Sequence, residues 1–516
     1  MPLLRDLLRA DRIVAAQGPL DLPVAAIATD SRDVRPGTLF VCLPGYRSEG
    51  GETRADRHDF IPAAVAAGAR ALVVQREIPA PPGVTVVQVA DAWAMVAAIA
   101  AEFYGRPART LEMVGVTGTS GKTSTTFFID AMLTAAGRRV ARLGTIDYRV
   151  GGEVLPAAQT TPEAPLLQAL LRRALDAGCT AGVMEVSSHA LELRRVAEVD
   201  FDVAVFTNLS HDHLNFHPDL HHYRRAKGRL FAELASGGKR ATAVVNADDP
   251  HSDYIIEVNR GALLTYGTAA QANVRATDVS MTLDGVAFTA HTPRGRVALR
   301  LRHLGVYSVY NALAALAVGE SFGIALDTIA AGLAAAPTVP GRFELVQAGQ
   351  DFVVAVDYAH KPDALQRLIE SARGLAPRRL ITVFGCGGDR DRGKRPLMGC
   401  LSAALSDLTV VTSDNPRSED PRAIVDEIVA GVRQSDPTGV KHVVEVDRAH
   451  AIASAIAAAG RGDIVLIAGK GHEPYQEIAG RKLPFDDLAI AQAALERRPM
   501  HMDVQVPRAH DAQERP

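Results

Sequence analysis

The residues best suited to chemistry lie between Leu111 and Thr126, in LEMVGVTGTSGKTSTT. Apolar residues open the stretch, Gly118, Thr119, Ser120 and Gly121 turn it, and Lys122, Thr123 and Ser124 follow. A buried strand, a glycine-rich turn and a helix start produce this pattern. Backbone N–H groups of such a turn, with the positive end of the helix, cradle phosphate. Lys122 would reach the terminal phosphates, and the Thr123 hydroxyl would hold Mg²⁺. The spacing departs from the Walker A pattern, with Val116 where glycine is expected and Gly115 one place early. The expectation is a site for ATP or GTP, against the plainer reading of a glycine-rich turn beside a surface lysine.

Other chemistry-bearing residues follow apolar runs. Glu185 ends Gly182–Val186 and precedes Ser187, Ser188 and His189; Phe201 to Phe206 leads into Thr207–His213. Carboxylate and imidazole at strand ends are plausible ligands for the Mg²⁺ of a nucleotide. Helical spacing over 219–234 places Tyr223, Lys227 and Leu230 or Phe231 on one face, which makes Lys227 either a snorkelling surface lysine or a buried functional one. Asp357, Gly385, Ser413 and Gly469 each begin a polar loop after an apolar run, the rhythm of a doubly wound sheet with ligands at strand ends. Mixed charge in 389–395 and 414–417 suits a ligand carrying both ammonium and carboxylate groups.

The elements that must position these residues form an α/β chain in three blocks. They are an N-terminal α/β domain over 1–109, a central phosphate-loop α/β domain over 110–337 and a C-terminal Rossmann-like α/β domain over 338–498, with a polar tail over 499–516. The 516 residues accommodate about three domains. A charged fraction of 22% with net charge −3 argues against nucleic acid or an anionic membrane as partner. Four scattered cysteines without a CxxC pair fit a reducing cytoplasm, and the N-terminal text reads as neither signal peptide nor anchor. The segment from Gly45 to Asp59 reads as a mobile surface loop.

Several stretches in this order resemble the Mur ligase family of bacterial cell-wall synthesis, in its diaminopimelate-adding branch. They are TGTSGKTS (117–124), QTTPE (159–163), EVSSHAL (185–191), NLSHDHLNFH (208–217), YRRAKGRLF (223–231), GRFE (341–344), DYAHKPDAL (357–365), GCGGDRDRGKRPLM (385–398), DNPR (414–417) and AGKGHE (468–473).

The resemblance implies an N-terminal UDP-binding domain, a central ATP-binding domain and a C-terminal amino-acid-binding domain. It implies that Lys122 and Thr123 hold ATP phosphates and Mg²⁺, with Glu185 and His213 as further metal contacts and Lys227 as a carbamylated lysine. Asn311, Arg342 and Asp357 match nucleotide contacts. Thr160, Thr161, Ser187 and Arg195 match binders of the UDP-N-acetylmuramoyl-dipeptide, and Ser31 the uridine pocket. Arg390, Asp414, Asn415, Pro416, Arg417, Gly469 and Glu473 match a pocket for meso-diaminopimelate. Two departures stand out: Ser308 replaces an asparagine usual three residues before Asn311, and the loop from Ser48 to Arg57 is longer than usual. The implied activity is ATP-driven amide formation through an acyl phosphate, by a cytoplasmic monomer. A sister ligase adding L-lysine, a folylpolyglutamate-type ligase and a phosphate-loop switch acting on a protein partner are the alternatives.

Overall fold

The computed structural model describes residues 1–47, 53–214 and 216–498. The tail expected over 499–516, and the first part of the long loop, at 48–52, lie outside the described residues. The described chain forms two compact units. The first comprises Met1–Phe343 with Lys361–Leu375 and Asp389–Arg395; the second comprises Glu344–His360, Ala376–Gly388 and the chain from Pro396 on.

The first unit contains two large sheets. The smaller has five strands in the order Ile13–Gln17, Thr85–Val89, Ala71–Val74, Thr38–Val41 and Ala26–Ala28, with only the Ile13–Gln17 edge antiparallel. Thr38–Val41 and Ala71–Val74 are buried throughout, which explains their unbroken apolar text. The described parts of the expected loop, 45–47 and 53–59, carry regular structure that its polarity did not suggest. Tyr46–Arg47 pairs with Thr53–Arg54. The buried His58 then bridges Asp56 and the backbone N–H of Gln75, which it accepts at 3.0 Å. One internal bridge thus ties the end of the loop to the sheet.

The larger sheet has eleven strands. Its parallel centre runs Val140–Leu143, Ala181–Glu185, Glu112–Thr117, Val203–Phe206, Thr242–Asn246 and Ala262–Gly267. Glu112–Thr117 therefore lies between Ala181–Glu185 and Val203–Phe206, so the polar residues that follow all three strands emerge at one sheet edge. Val274–Thr282 joins Ala262–Gly267 in parallel, and antiparallel strands extend the two sides further, through 147–156 and 285–301. Helix Lys122–Ala135 packs on the sheet through Phe128, Ile129, Met132 and Leu133, in one core with Val309 to Val318 of helix Val306–Ser321.

The second unit carries a six-stranded sheet in the order Glu344–Val346, Val353–Asp357, Ile464–Ala468, Leu380–Phe384, Leu408–Val411 and His442–Val444. All neighbours are parallel except the first pair. Ile464–Ala468 and Leu380–Phe384 are wholly buried. Asp357, Gly385, Asp414 and Gly469 stand at or just past the carboxyl ends of four adjacent strands.

Candidate active site

The phosphate loop has the form its sequence predicts. Strand Glu112–Thr117 ends, Gly118 turns with φ 151°, and Gly121 caps helix Lys122–Ala135 in a left-handed conformation. A Cβ on Gly118 would stand 1.8 Å from the Thr207 hydroxyl, so the turn requires glycine there. Asn208 holds the loop's tip from across the sheet. Its Oδ1 accepts from Ser120 N–H at 2.9 Å, and its Nδ2 donates to the Ser120 carbonyl at 3.0 Å. Thr207 donates to the same carbonyl at 2.7 Å. Thr125 donates to Oδ1 of Asn311 at 3.1 Å, which brings the expected nucleotide asparagine to the loop helix. Ser308 donates back to the Leu304 carbonyl at 2.7 Å, so its hydroxyl is engaged by the segment that leads into its own helix.

Two lysines converge on this turn. Lys122 Nζ donates to the Gly118 and Thr119 carbonyls at 2.8 and 3.0 Å, and Lys227 Nζ donates to the Gly118 carbonyl at 2.9 Å. Lys227 is 1% exposed and sits 4.5 Å from the Tyr223 ring centroid, so of the two readings of this lysine the structure gives the buried one. Helix Leu220–Ala232 presents Tyr223, Lys227, Leu230 and Phe231 inward, and the Tyr223 hydroxyl meets Thr119 Oγ1 at 3.0 Å.

Glu185 is the acidic counterpart. It is 1% exposed, accepts from the Thr123 hydroxyl at 3.0 Å and from the Thr145 N–H and hydroxyl at 2.8 and 3.1 Å. A Cβ on Gly144 would approach its Oε1 to 2.5 Å, so glycine is needed for the backbone to come this close to the carboxylate. A hydroxyl and a carboxylate side by side are hard oxygen donors that fit Mg²⁺.

His213 has a left-handed backbone (φ 54°) and lies 3.0 Å from Asp212, which also pairs with Lys361. Such a conformation in a residue with a side chain is uncommon and tends to occur at functional sites. Ser210 donates to Asp363 at 2.7 Å. Burial drives the His213 imidazole well below its usual range, and does the same to His189 and His217, each lowered to about 3. All three are neutral near pH 7, and neutral imidazole is the form that ligates metal.

The residues expected to hold a dipeptide interlock with Glu185. Thr161 is fully buried; it donates to the Glu185 carbonyl at 2.8 Å and accepts from Ser187 N–H at 3.0 Å. Arg195 donates to the Thr161 carbonyl at 3.0 Å, and its buried Nε has no hydrogen-bond partner among the described residues. Thr160 meets Thr145 at 3.1 Å. Glu163 accepts from Thr29 at 3.1 Å, linking this group to the turn that holds Ser31.

In the second unit, Asp414, Asn415, Pro416, Arg417, Gly469 and Glu473 form a second cluster. A Cβ on Gly469 would stand 2.6 Å from Asp414 Oδ2, and Asn415 Nδ2 donates to Glu473 at 2.8 Å. Arg417, left-handed at φ 53°, donates to the Gly388 carbonyl at 2.7 Å and lies 3.5 Å from Glu477. Hairpin Tyr475–Ile478/Arg481–Pro484 is tied to the loop, with Arg417 N–H donating to the Glu477 carbonyl and Gln476 to the Asp414 carbonyl. Beneath the strand ends, fully buried Arg448 makes a two-pronged pair with Asp487 at 2.8 and 2.6 Å and donates to the Ser413 and Ala468 carbonyls. Asp357 caps the turn to Ala359 at 2.7 Å in this unit. Arg342 and Arg390 belong to the first unit, donating to the Gly341 and Asp389 carbonyls.

The sequence reading did not assign Asn208, Asp212, Lys361, Arg448 or Lys470. Asn208 had a signal: it follows a buried strand expected in the same parallel sheet as the phosphate loop.

Three family profiles match the chain: a Mur ligase catalytic domain over residues 23–104, the Mur ligase middle domain over 116–319 and a Mur ligase glutamate ligase domain over 341–471. A UDP-N-acetylmuramoyl-L-alanyl-D-glutamate–2,6-diaminopimelate ligase of Geobacillus kaustophilus is 46% identical over 478 residues, 92% of this chain and 95% of that protein. The chain belongs to the Mur ligase family. A protein of the same name from Geobacter sulfurreducens is 46% identical over 506 residues, covering 95% of this chain and 98% of its own. Among solved structures, a UDP-N-acetylmuramoyl-L-alanyl-D-glutamate–2,6-diaminopimelate ligase matches with TM-score 0.68 and 32% identity over 96% of this chain and 99% of its own. The MurF ligase of Thermotoga maritima in complex with ADP, 22% identical with TM-score 0.63, shares the Mur ligase fold over 92% of this chain and 99% of its own. Among the described residues, no helix is long and apolar enough to cross a membrane.

Proposed function

We propose that this Mur ligase joins meso-diaminopimelate to the D-glutamate carboxylate of UDP-N-acetylmuramoyl-L-alanyl-D-glutamate, using ATP. The observation that carries the reading is the convergence of Lys122 and Lys227 on one phosphate-loop carbonyl, on a loop whose Thr123 is bonded to Glu185. The substrates are those for which its relatives are named.

A carboxylate oxygen of the dipeptide attacks the γ-phosphorus, the bond to the β-phosphate oxygen breaks, and ADP leaves. The substrate amine then attacks the acyl carbonyl, loses a proton, and phosphate departs as the amide forms. The first step brings anions together, so Lys122 and the loop N–H groups serve to neutralise charge on the transferring group. Thr123, Glu185 and His213 would hold Mg²⁺, which when bound supplies Lewis-acid stabilisation of the phosphoryl oxygens. Lys227, as a carbamate, would exchange a buried cation for an anion on the metal side. Arg195, with its open Nε, would grip the dipeptide with Thr160 and Ser187, and Ser31 the uridine end. Asn311, Arg342 and Asp357 would contact the nucleotide. Asp414, Asn415 and Glu473 would take the ammonium end of the amino acid, and Arg417 with Arg390 its distal carboxylate.

The test is ADP release with ATP, Mg²⁺, UDP-dipeptide and either meso-diaminopimelate or L-lysine, with the product weighed by mass spectrometry. Turnover with diaminopimelate and a tripeptide product is expected. Preference for lysine, or ATP turnover without the UDP-dipeptide, would overturn the reading.

A further inference from the structure

Lys470 lies at the heart of the second cluster and has no role in the reaction described above. It is fully buried, and a buried ammonium is costly unless its surroundings compensate it. Its Nζ donates to Asn415 Oδ1 at 3.1 Å and lies 3.4 Å from Glu473 Oε2, with the Tyr475 ring centroid 5.5 Å away. The same Asn415 oxygen accepts from Glu477 N–H at 2.9 Å, while the amide nitrogen donates to Glu473 at 2.8 Å. Two donors on the oxygen and an acceptor on the nitrogen fix which way the amide faces.

Charge makes the same point. Asp414 and Glu473 are two carboxylates in one buried cluster, and burial followed by Asp414 pushes the Glu473 carboxyl up, while Lys470 pulls it down. Arg448 is nearby, but its guanidinium is matched by Asp487. Also beside Glu473, the Tyr358 hydroxyl is 3.5 Å from Oε1, and Lys482 stacks on Tyr475. His472 lies with its ring against Tyr358. Glu477 directs its carboxylate to Arg417.

We infer that Lys470 is a positioning residue for the amino-acid substrate: it sets the orientation of the Asn415 amide and supplies positive charge beside Asp414 and Glu473. An incoming ammonium then meets the Asp414 and Glu473 carboxylates, with Glu473 held in place by the Asn415 amide. This rests on the proposed function, because it presumes an ammonium-bearing amino acid at Asp414 and Glu473.

The test uses the full chain with Lys470→Met, which keeps the stem, and Lys470→Gln, which keeps a donor for Asn415 without the charge. In Lys470→Met the KM for diaminopimelate rises about tenfold or more, the scale of a buried acceptor left without its donor. kcat falls less, and the KM for ATP is unchanged. In both variants the acid limb of kcat/KM for diaminopimelate moves to higher pH, because Glu473 without its cation protonates earlier. A parallel rise in both KM values with an unmoved acid limb, the signature of a purely structural lysine, would overturn the inference. So would wild-type values in both variants. Diaminopimelate turnover by the wild-type protein is measured first: its absence defeats the functional reading and this inference with it, whereas its presence with unshifted variants defeats the inference alone.

Discussion

The Thr123 hydroxyl donates to Oε1 of Glu185 across 3.0 Å, although the two residues stand 62 apart in the chain. Parallel pairing of Glu112–Thr117 with Ala181–Glu185 brings them together, and Thr145 steadies the carboxylate from a third direction. Glu185→Gln keeps the side chain's shape and removes its charge. Its kcat should fall about 100-fold while the melting temperature changes little, the scale of lost charge at a metal-assisted centre. Steady-state ADP release at graded Mg²⁺ checks this, with a higher Mg²⁺ requirement expected in the variant.

Asn208 grips both backbone groups of Ser120. Asn208→Ala frees the loop tip without touching a phosphate-binding side chain. Loss of the two bonds corresponds to about 1–3 kcal/mol, so the KM for ATP should rise about 5- to 150-fold. Nucleotide titration by calorimetry measures the same change as a weaker Kd, and the KM for the amino acid should stay put.

Gly118 allows no side chain. Its backbone sits at φ 151°, and a methyl group would collide with the Thr207 hydroxyl. Gly118→Ala should abolish measurable ATP binding. Gly118→Ala combined with Thr207→Ala should recover binding only in part, because the clash is relieved and the backbone strain is not.

His217 carries a pH signature. Burial lowers its imidazole to about 3, and its Nε2 lies 3.0 Å from Ser188 Oγ. The unfolded state therefore binds one more proton between its ordinary pKa of about 6.5 and the folded value. The stability this residue contributes is present above about pH 6.5 and is lost as pH falls, at about 1.4 kcal/mol per pH unit. Urea unfolding at several pH values between 7.5 and 5 should show a steep loss in the wild type and a slope shallower by one proton in His217→Gln.

Much of the site was legible because its motifs are local. The strand, turn and helix around Lys122 announce themselves in one continuous stretch, and each polar loop of the second unit follows an apolar run that became a buried strand. Lys227 could be placed on a helix face, but only packing decides whether that face is buried. Asn208 and Lys470 could be quoted within motifs, yet their partners at Ser120 and Asn415 lie far away in the chain. The strands added over 147–156 and 274–301 were not anticipated either. Their strands carry exposed residues at consecutive positions, and without a clean alternation the sequence does not reveal which sheet they will join.

The Arg448–Asp487 pair ties the competence of the amino-acid pocket to a helix, Asp487–Arg497, that contributes none of its proposed ligands. A premature stop ahead of Asp487 would spare every side chain assigned to a substrate and still strand a guanidinium in an apolar interior under Ser413 and Ala468. Such a product would look intact by its motifs and yet be unable to hold its acceptor amino acid.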